Sequence, residues 1–374
     1  FFKRFIVTNR NELLLLARYD KDGKRNIVEI VDLNNFSILH TYKPDINEIN
    51  SRTDISREEF KDLLRDSAPN TYQMRHPLLL SNGDLLFQNS SPLIKIDYCS
   101  NLKWVNDADN FHHANSIDHD ENYWVIAHKF PFSIDKNLVG IKFDGFFDDA
   151  ITKISPDGKI LYQKSVAEIL IENNYKWLIF GRYHFSKDPI HLNDIEPVLK
   201  DGLYWKKGDV FLSLHRLSMI MHFRPSTNKI INIITGPFFA QHDVDVISDK
   251  EISIFNNNTF KTVEREEILT NSEIVIYNFE SQKFSKKFEN SIRINKVKTL
   301  TQGLSDTLQD GSMMVDEQNY GRILFFNSTG ELEWEFVNRA NNGKIYFTTW
   351  SRIIKDKDLI QNIRRKIKST KCIN

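Results

Sequence analysis

The stretch "IMHFRPSTNKIINII" occupies residues 220–234, and "QHDVDVISDKEISIFNN" follows at 241–257. Each consists of two short runs that alternate apolar and polar residues, joined by a turn rich in Pro, Ser, Asn or Asp. A period of two on both sides of such a turn is the signature of a β-hairpin. The first pattern recurs at "IVEIVDLNNFSILHTY" (27–42), "LIKIDYCSNLKWV" (93–105), "ITKISPDGKILYQKS" (151–165), "IVIYNFESQKFSKKF" (274–288) and "ILFFNSTGELEWEFV" (323–337). With 220–234 this makes six copies, spaced roughly 50 to 70 residues apart.

A second hairpin pattern precedes most copies. It reads "RHPLLLSNGDLLFQ" (75–88), "HHANSIDHDENYWVIAH" (112–128), "HLNDIEPV" (191–198), "QHDVDVISDKEISIFNN" (241–257) and "QGLSDTLQDGSMMVDE" (302–317). Two hairpins per repeat give a four-stranded unit, and six such units indicate a β-propeller. Radial closure also removes the exposed edges that so many strands would otherwise present. The expected fold is therefore all-β, a six-bladed β-propeller with short helical insertions, forming a single domain over 1–374. The first repeat is incomplete near "LLLLARYDKDG", so a strand from one chain end is expected to complete a blade at the other.

Helical patterns interrupt the strands. "DISREEFKDLLRDS" (54–67) carries a capping box, with Ser56 and Glu59 ahead of an apolar stripe, inside an insertion at about 44–72. "SVAEILIENNYKWL" (165–178) and the basic, amphipathic "DKDLIQNIRRKIKSTK" (356–371) read as helices, the latter as a C-terminal helix at about 355–371. The expectation for this last helix is a solvated face on a packed element, with a membrane-surface role as the alternative.

Composition narrows the function. Fifty basic and fifty acidic side chains balance, which excludes a strongly basic nucleic-acid binder. No run of about 18 apolar residues occurs to span a bilayer. The two cysteines, Cys99 and Cys372, are too few for a zinc ribbon or a disulfide framework, although one bridge between them is possible. The chain begins at Phe1 rather than Met, so the expectation is that a signal or membrane anchor was lost upstream. That implies a periplasmic or membrane-anchored extracytoplasmic location.

The eleven histidines all lie between residues 40 and 242. His76, His112 or His113, His191 and His242 stand at the heads of the second hairpin pattern. In a propeller, equivalent strand starts of different blades converge at one mouth of the channel, where ligands commonly bind. A histidine repeated once per blade can also be structural. The hairpin headed by "TQG" (301–303) lacks it, so packing does not require a histidine in every blade.

These segments resemble the arylsulfotransferase (aryl-sulfate sulfotransferase) family over roughly residues 25–350, and that family's fold is a six-bladed β-propeller. "QHDVDVISDKEISIFNN" resembles its Gln-His motif, followed by a strand ending in Phe-Asp/Asn-Asn. "HLNDIEPV" resembles its His-x-Asn-Ser-Ile motif, "VFLSLHRLSMIMHF" (210–223) the next strand, and "FHHANSID" (111–118) an earlier histidine-containing strand. The resemblance implies transfer of a sulfuryl group from a phenolic sulfate ester to a phenol, without a nucleotide donor or cofactor. It implies His242 as the nucleophile, His191 as acid/base or sulfate ligand, and His113 or His112 at the sulfate or leaving oxygen. Asn193, two residues after His191 and so expected on the same strand face, would orient the ligand. Gln241 belongs to the Gln-His motif. His215 stands where the family has its sulfate-binding arginine. Arg216 is next to it and, in a regular strand, would point to the opposite face unless a bulge turns it. Arg352, in "TTWSRIIKD" (348–356), is a second candidate cation. The partner implied is a small aryl or anionic molecule.

Other motifs are absent. There is no GxxxxGK[ST], GxSxG, HExxH or CxxC. "DKDGKRN" (20–26) opens like a calcium loop but places Val31 at its twelfth position, and "DHDEN" (118–122) likewise reads as a hairpin turn. "KFPF" (129–132) and "KFDGFF" (142–147) suit either an aromatic wall or core packing. Two alternatives therefore accompany sulfuryl transfer. One is a propeller serving only as a binding or interaction module. The other is a metal-dependent enzyme in which His113, His191, His215 and His242 hold a transition metal.

Overall fold

The computed structural model describes all residues except 55, 58, 59, 61, 62, 64, 65, 136, 138–145, 182–185, 269, 373 and 374. The chain divides into two compact units. One comprises residues 1–54, 64–106 and 288–374, and the other 55–63 and 107–287. Among the described residues each contains three antiparallel sheets of four or five strands, and these six sheets make the chain a six-bladed β-propeller.

In the first unit, blade one runs Arg352–Ile354, Leu13–Asp20, Arg25–Asp32, Ile38–Tyr42. Blade two runs Arg75–Leu79, Leu85–Gln88, Leu93–Ile96, Leu102–Asn106. Blade six runs Leu304–Thr307, Met313–Glu317, Arg322–Phe326, Leu332–Val337, with Phe2–Arg4 added as a fifth strand. Both chain ends are thus exchanged. The N-terminal strand pairs with the last strand of blade six, Phe2 opposite Phe336. The C-terminal strand opens blade one, Leu15 opposite Arg352. This is the completion expected from the truncated first repeat.

In the second unit, blade three runs Asn110–Ile117, Tyr123–His128, Asp149–Ile154, Ile160–Ser165. Blade four runs Leu192–Pro197, Val210–Leu214, Met219–Arg224, Lys229–Ile234, and blade five His242–Val246, Glu251–Asn256, Glu273–Asn278, Lys283–Lys286. A small hairpin, Thr259–Lys261 with Glu266–Ile268, interrupts blade five. The sequence pattern did not reveal this hairpin, because its three-residue strands are too short to show a period.

Alternation puts one face of each strand into apolar layers between sheets, such as Leu13, Leu15, Val28, Ile30, Phe87 and Ile94 in the first unit. In the second unit Ile126, Ile151, Leu192, Leu212 and Met221 do the same. Buried carboxylates tie neighbouring blades. Asp149 Oδ2 accepts the Leu192 N–H at 2.8 Å, Asp194 Oδ2 the Val244 N–H at 2.6 Å, and Asp306 Oδ2 the Ile353 N–H at 3.0 Å. Each satisfies a backbone donor that the first strand of the next blade would leave unpaired.

The helices follow their caps. Ser165 caps Val166–Glu172 by accepting from Glu168 N at 3.1 Å. The expected helix over 165–178 is broken, however. Asn174 takes φ +68°, and a second turn resumes only at Trp177–Phe180. The helix Lys357–Ser369 is capped by Asp356 and buries Ile360 and Ile363 against the first unit's core, with Arg364 on Asp32 at 3.0 Å. Its apolar stripe is thus covered by the core. The insertion contains the helix Ile46–Ser51, whereas half of the residues of the helix read over 54–67 lie outside the described residues. "DKDGKRN" and "DHDEN" are hairpin turns: Lys24 N–H donates to Lys21 O, and Asp118 N–H to Asn122 O. Cys99 and Cys372 form a disulfide that joins a turn of blade two to the residues after the C-terminal helix.

Candidate functional site

The first strands do not start as regular strands. Pairing slips between Arg75 and Leu78, between His112 and Asn115, between Leu192 and Asp194, and between His242 and Val244. His76, His113, His191 and Asp243 take φ of +46°, +56°, +53° and +53°. A bulge with a left-handed residue re-aims side chains out of strict alternation. The histidines heading these strands are therefore placed by bulges and by the residues just before the strands.

Within the second unit, six imidazoles follow one another. Ring centroids are 4.0 Å apart for His128 and His112, 4.8 Å for His112 and His113, 5.2 Å for His113 and His191, 5.0 Å for His191 and His215, and 5.1 Å for His215 and His242. Blades three, four and five all contribute.

His242 is 5% exposed. Its Nδ1–H donates to Asn257 Oδ1 at 2.7 Å, which leaves Nε2 of the neutral ring with its lone pair. Burial lowers its pKa to about 4, with His191 adding to the effect and Asn257 and the Ala240 carbonyl opposing it. His215 is pushed down to about 2, first by burial and then by His242, His191 and Arg216, so it remains neutral. His191 behaves differently. Burial pulls it down, but the Asp188 carboxylate against its Nδ1 at 2.5 Å outweighs this, and its pKa is raised.

Arg216 corrects the strand-based expectation. The strand ends at Leu214, and His215–Leu217 form a 3-10 turn, so two-fold alternation no longer applies. The turn is anchored by His215 N–H donating to His191 O at 3.1 Å and Arg216 N–H to Ile190 O at 3.0 Å. Arg216 Nε lies 3.3 Å from Asp188 Oδ2, the oxygen that also receives His191. The half-exposed guanidinium and the His191 ring therefore share one carboxylate.

Asn193 departs from its expected place too. It is the extra residue of the bulge, so counting two residues from His191 does not put the two side chains on one face. It is buried, and its Nδ2 donates to Gln241 O at 2.8 Å. Gln241 is fully buried and donates through Nε2 to Met219 O at 3.1 Å and Ser213 Oγ at 3.3 Å. Both residues therefore fix the backbone that presents His242. Arg352 and His76 belong to the first unit. Arg352 sits in the strand Arg352–Ile354, and His76 stacks on Trp350 at 4.0 Å. Phe132 and Phe146 pack in the core of the second unit, whereas Phe147 stacks on His128 at 4.8 Å; residues 142–145 lie outside the described residues.

Three of these partners escaped the sequence reading. Asp188 and Asp149 lie in or beside connections and carry no spacing signal. His128 closes a quoted hairpin, and only the pairing of Asn110 with His128 brings it beside His112. Asn257 was legible within the quoted "FNN" but not its role.

Residues 76–339, more than half of the chain, match the family described as arylsulfotransferase (ASST). The chain belongs to the arylsulfotransferase family. The match begins at His76 and takes in every member of the histidine row, so the row lies wholly inside the arylsulfotransferase region. No curated protein matches the chain. Among solved structures, a protein of unknown function from Bacteroides caccae is similar at 13% identity and a TM-score of 0.56, covering 92% of this chain and 99% of that one. A virginiamycin B lyase from Staphylococcus aureus is similar at 11% identity and a TM-score of 0.43, covering 90% and 88%. At these identities the likeness is one of fold, and the first is consistent with the propeller.

Proposed function

We propose that this arylsulfotransferase-family propeller transfers a sulfuryl group from an aryl sulfate ester to a phenolic acceptor through His242. The observation that carries the reading is the His242–Asn257 bond, which fixes the tautomer so that Nε2 holds a free lone pair on a ring neutral well below pH 7. Nε2 attacks sulfur, the sulfur–oxygen bond to the aryl group breaks, and its electron pair leaves on the phenolic oxygen. His191, whose protonated form Asp188 favours, is the group placed to donate the proton that this oxygen takes up. A phenol acceptor then gives its proton back to His191, attacks sulfur and frees His242.

Arg216 serves where the family places its arginine one residue earlier. Paired with His191 on Asp188, it offers fixed positive charge to the sulfuryl oxygens. Asn193 and Gln241 act as positioning residues through the backbone of the Gln-His segment. The Cys99–Cys372 disulfide supports an oxidising, extracytoplasmic setting for this chemistry.

The test is phenol release from a chromogenic aryl sulfate with a phenol acceptor. Wild type is expected to turn over, and His242→Ala to lose about three orders of magnitude or fall to background. Folded wild type that releases no phenol across a panel of acceptors would favour the binding-module reading.

A further inference from the structure

At the other end of the histidine row, three ligand atoms converge. His112 Nε2 and His128 Nε2 each lie 3.3 Å from Asp149 Oδ1, and the three atoms fall within 4.8 Å of one another. Neither 3.3 Å contact serves as a hydrogen bond for Asp149 Oδ1. That buried oxygen, on a residue only 1% exposed, has no hydrogen-bond partner, and neither has His112 Nε2. Asp149 is otherwise committed through Oδ2, which holds Leu192 N–H.

The surrounding groups set the lone pairs. His128 Nδ1 is 3.2 Å from the Asn110 amide, whose Oδ1 is buried without a partner. Turning that amide about its axis lets Oδ1 accept from His128 Nδ1–H, satisfies both atoms and leaves Nε2 unprotonated. His112 Nδ1 meets His113 Nδ1 at 2.5 Å, so one of the two must donate. Donation by His112 again leaves Nε2 bare. Two nitrogen lone pairs and a carboxylate oxygen then face one another, with Asp149 buried and the two histidine side chains 11% and 25% exposed, an arrangement suited to a cation. Ligands at about 2.0–2.1 Å from a metal in tetrahedral geometry stand about 3.3–3.4 Å apart, the separation of each nitrogen from Asp149 Oδ1.

We propose that His112, His128 and Asp149 form a binding site for one divalent transition-metal ion. Two imidazoles and one carboxylate suit zinc, cobalt or iron(II), and leave further coordination positions open. Leu192 N–H on the distal oxygen of Asp149 and the Asn110 amide on His128 would orient the ligands. The proposal stands apart from the sulfuryl-transfer reading, since it names different ligand atoms and does not need His242.

The test uses purified full chain stripped with a chelator, then titrated with Zn²⁺ by calorimetry and with Co²⁺ by visible absorption. One equivalent is expected to bind, with a Co²⁺ d–d spectrum. His128→Ala and Asp149→Asn are each expected to weaken binding at least tenfold, while His242→Ala binds as wild type does. Should Asp149→Asn fail to fold, for it also holds Leu192, His128→Ala with unchanged circular dichroism decides. Folded wild type that binds no stoichiometric metal overturns the site, as does binding indifferent to His128→Ala or lost in His242→Ala.

Discussion

His242 and His191 are the same residue type with opposite electrostatics. Burial without a countercharge lowers His242, whereas Asp188 lifts His191. The proposed mechanism therefore predicts an acid limb of kcat/KM near pH 4, far below the 6.5 of a free imidazole, and a basic limb where His191 deprotonates. Stability follows the same sign. His242 binds protons less readily folded than unfolded, so its contribution is complete above the unfolded pKa and is lost as pH falls. It should cost about 1 kcal/mol between pH 6.5 and 5.5, read as a drop in thermal midpoint that is smaller in His242→Ala. Asn257→Ala should free the tautomer and lower kcat by about ten- to a hundredfold with the fold intact, the range seen when a partner orienting an imidazole is lost. Arg216→Ala should mainly raise KM for the sulfate donor, and Arg216→Lys should restore part of it.

The strands gave the clearest sequence signal. All six outer hairpins were legible, because half-buried strands impose a period of two over several residues, and so was the completion of a blade by a strand from one chain end, whereas the added N-terminal strand Phe2–Arg4 was not. What the period could not convey was its own interruption. The bulges after His112 and Leu192, and the 3-10 turn at His215–Leu217, break alternation where the candidate side chains lie. Hence strict alternation puts Asn193 on the face of His191, whereas it is the extra residue of a bulge and donates to Gln241 O, and the departure from the strand that Arg216 needs to turn inward comes from the 3-10 turn. Between blades, Asp194 holds the first strand of blade five through Val244 N–H. Asp194→Ala should cost on the order of 1–3 kcal/mol, measured by denaturant unfolding, and should lower turnover by loosening His242.

Across the whole molecule, one covalent link spans 273 residues of sequence, from Cys99 to Cys372. No helix among the described residues is long and apolar enough to cross a membrane. Closing a long loop removes conformational freedom from the unfolded chain, so Cys99→Ser or reduction should cost about 2–4 kcal/mol and lower the thermal midpoint by several degrees. The pairing could not be read from sequence, since neither cysteine belongs to a spaced motif. The histidine row was legible in part for the same kind of reason: strand heads recur with the repeat, but carboxylates such as Asp188 and Asp149 do not.

Transfer through His242 is tested most simply by intact-mass analysis of the protein mixed with an aryl sulfate in the absence of acceptor. Wild type should gain one SO₃ group, mapped to His242, phenol should remove it, and His242→Ala should never acquire it. Active wild type that turns over substrate without the adduct, or an adduct that persists in His242→Ala, would contradict transfer through His242.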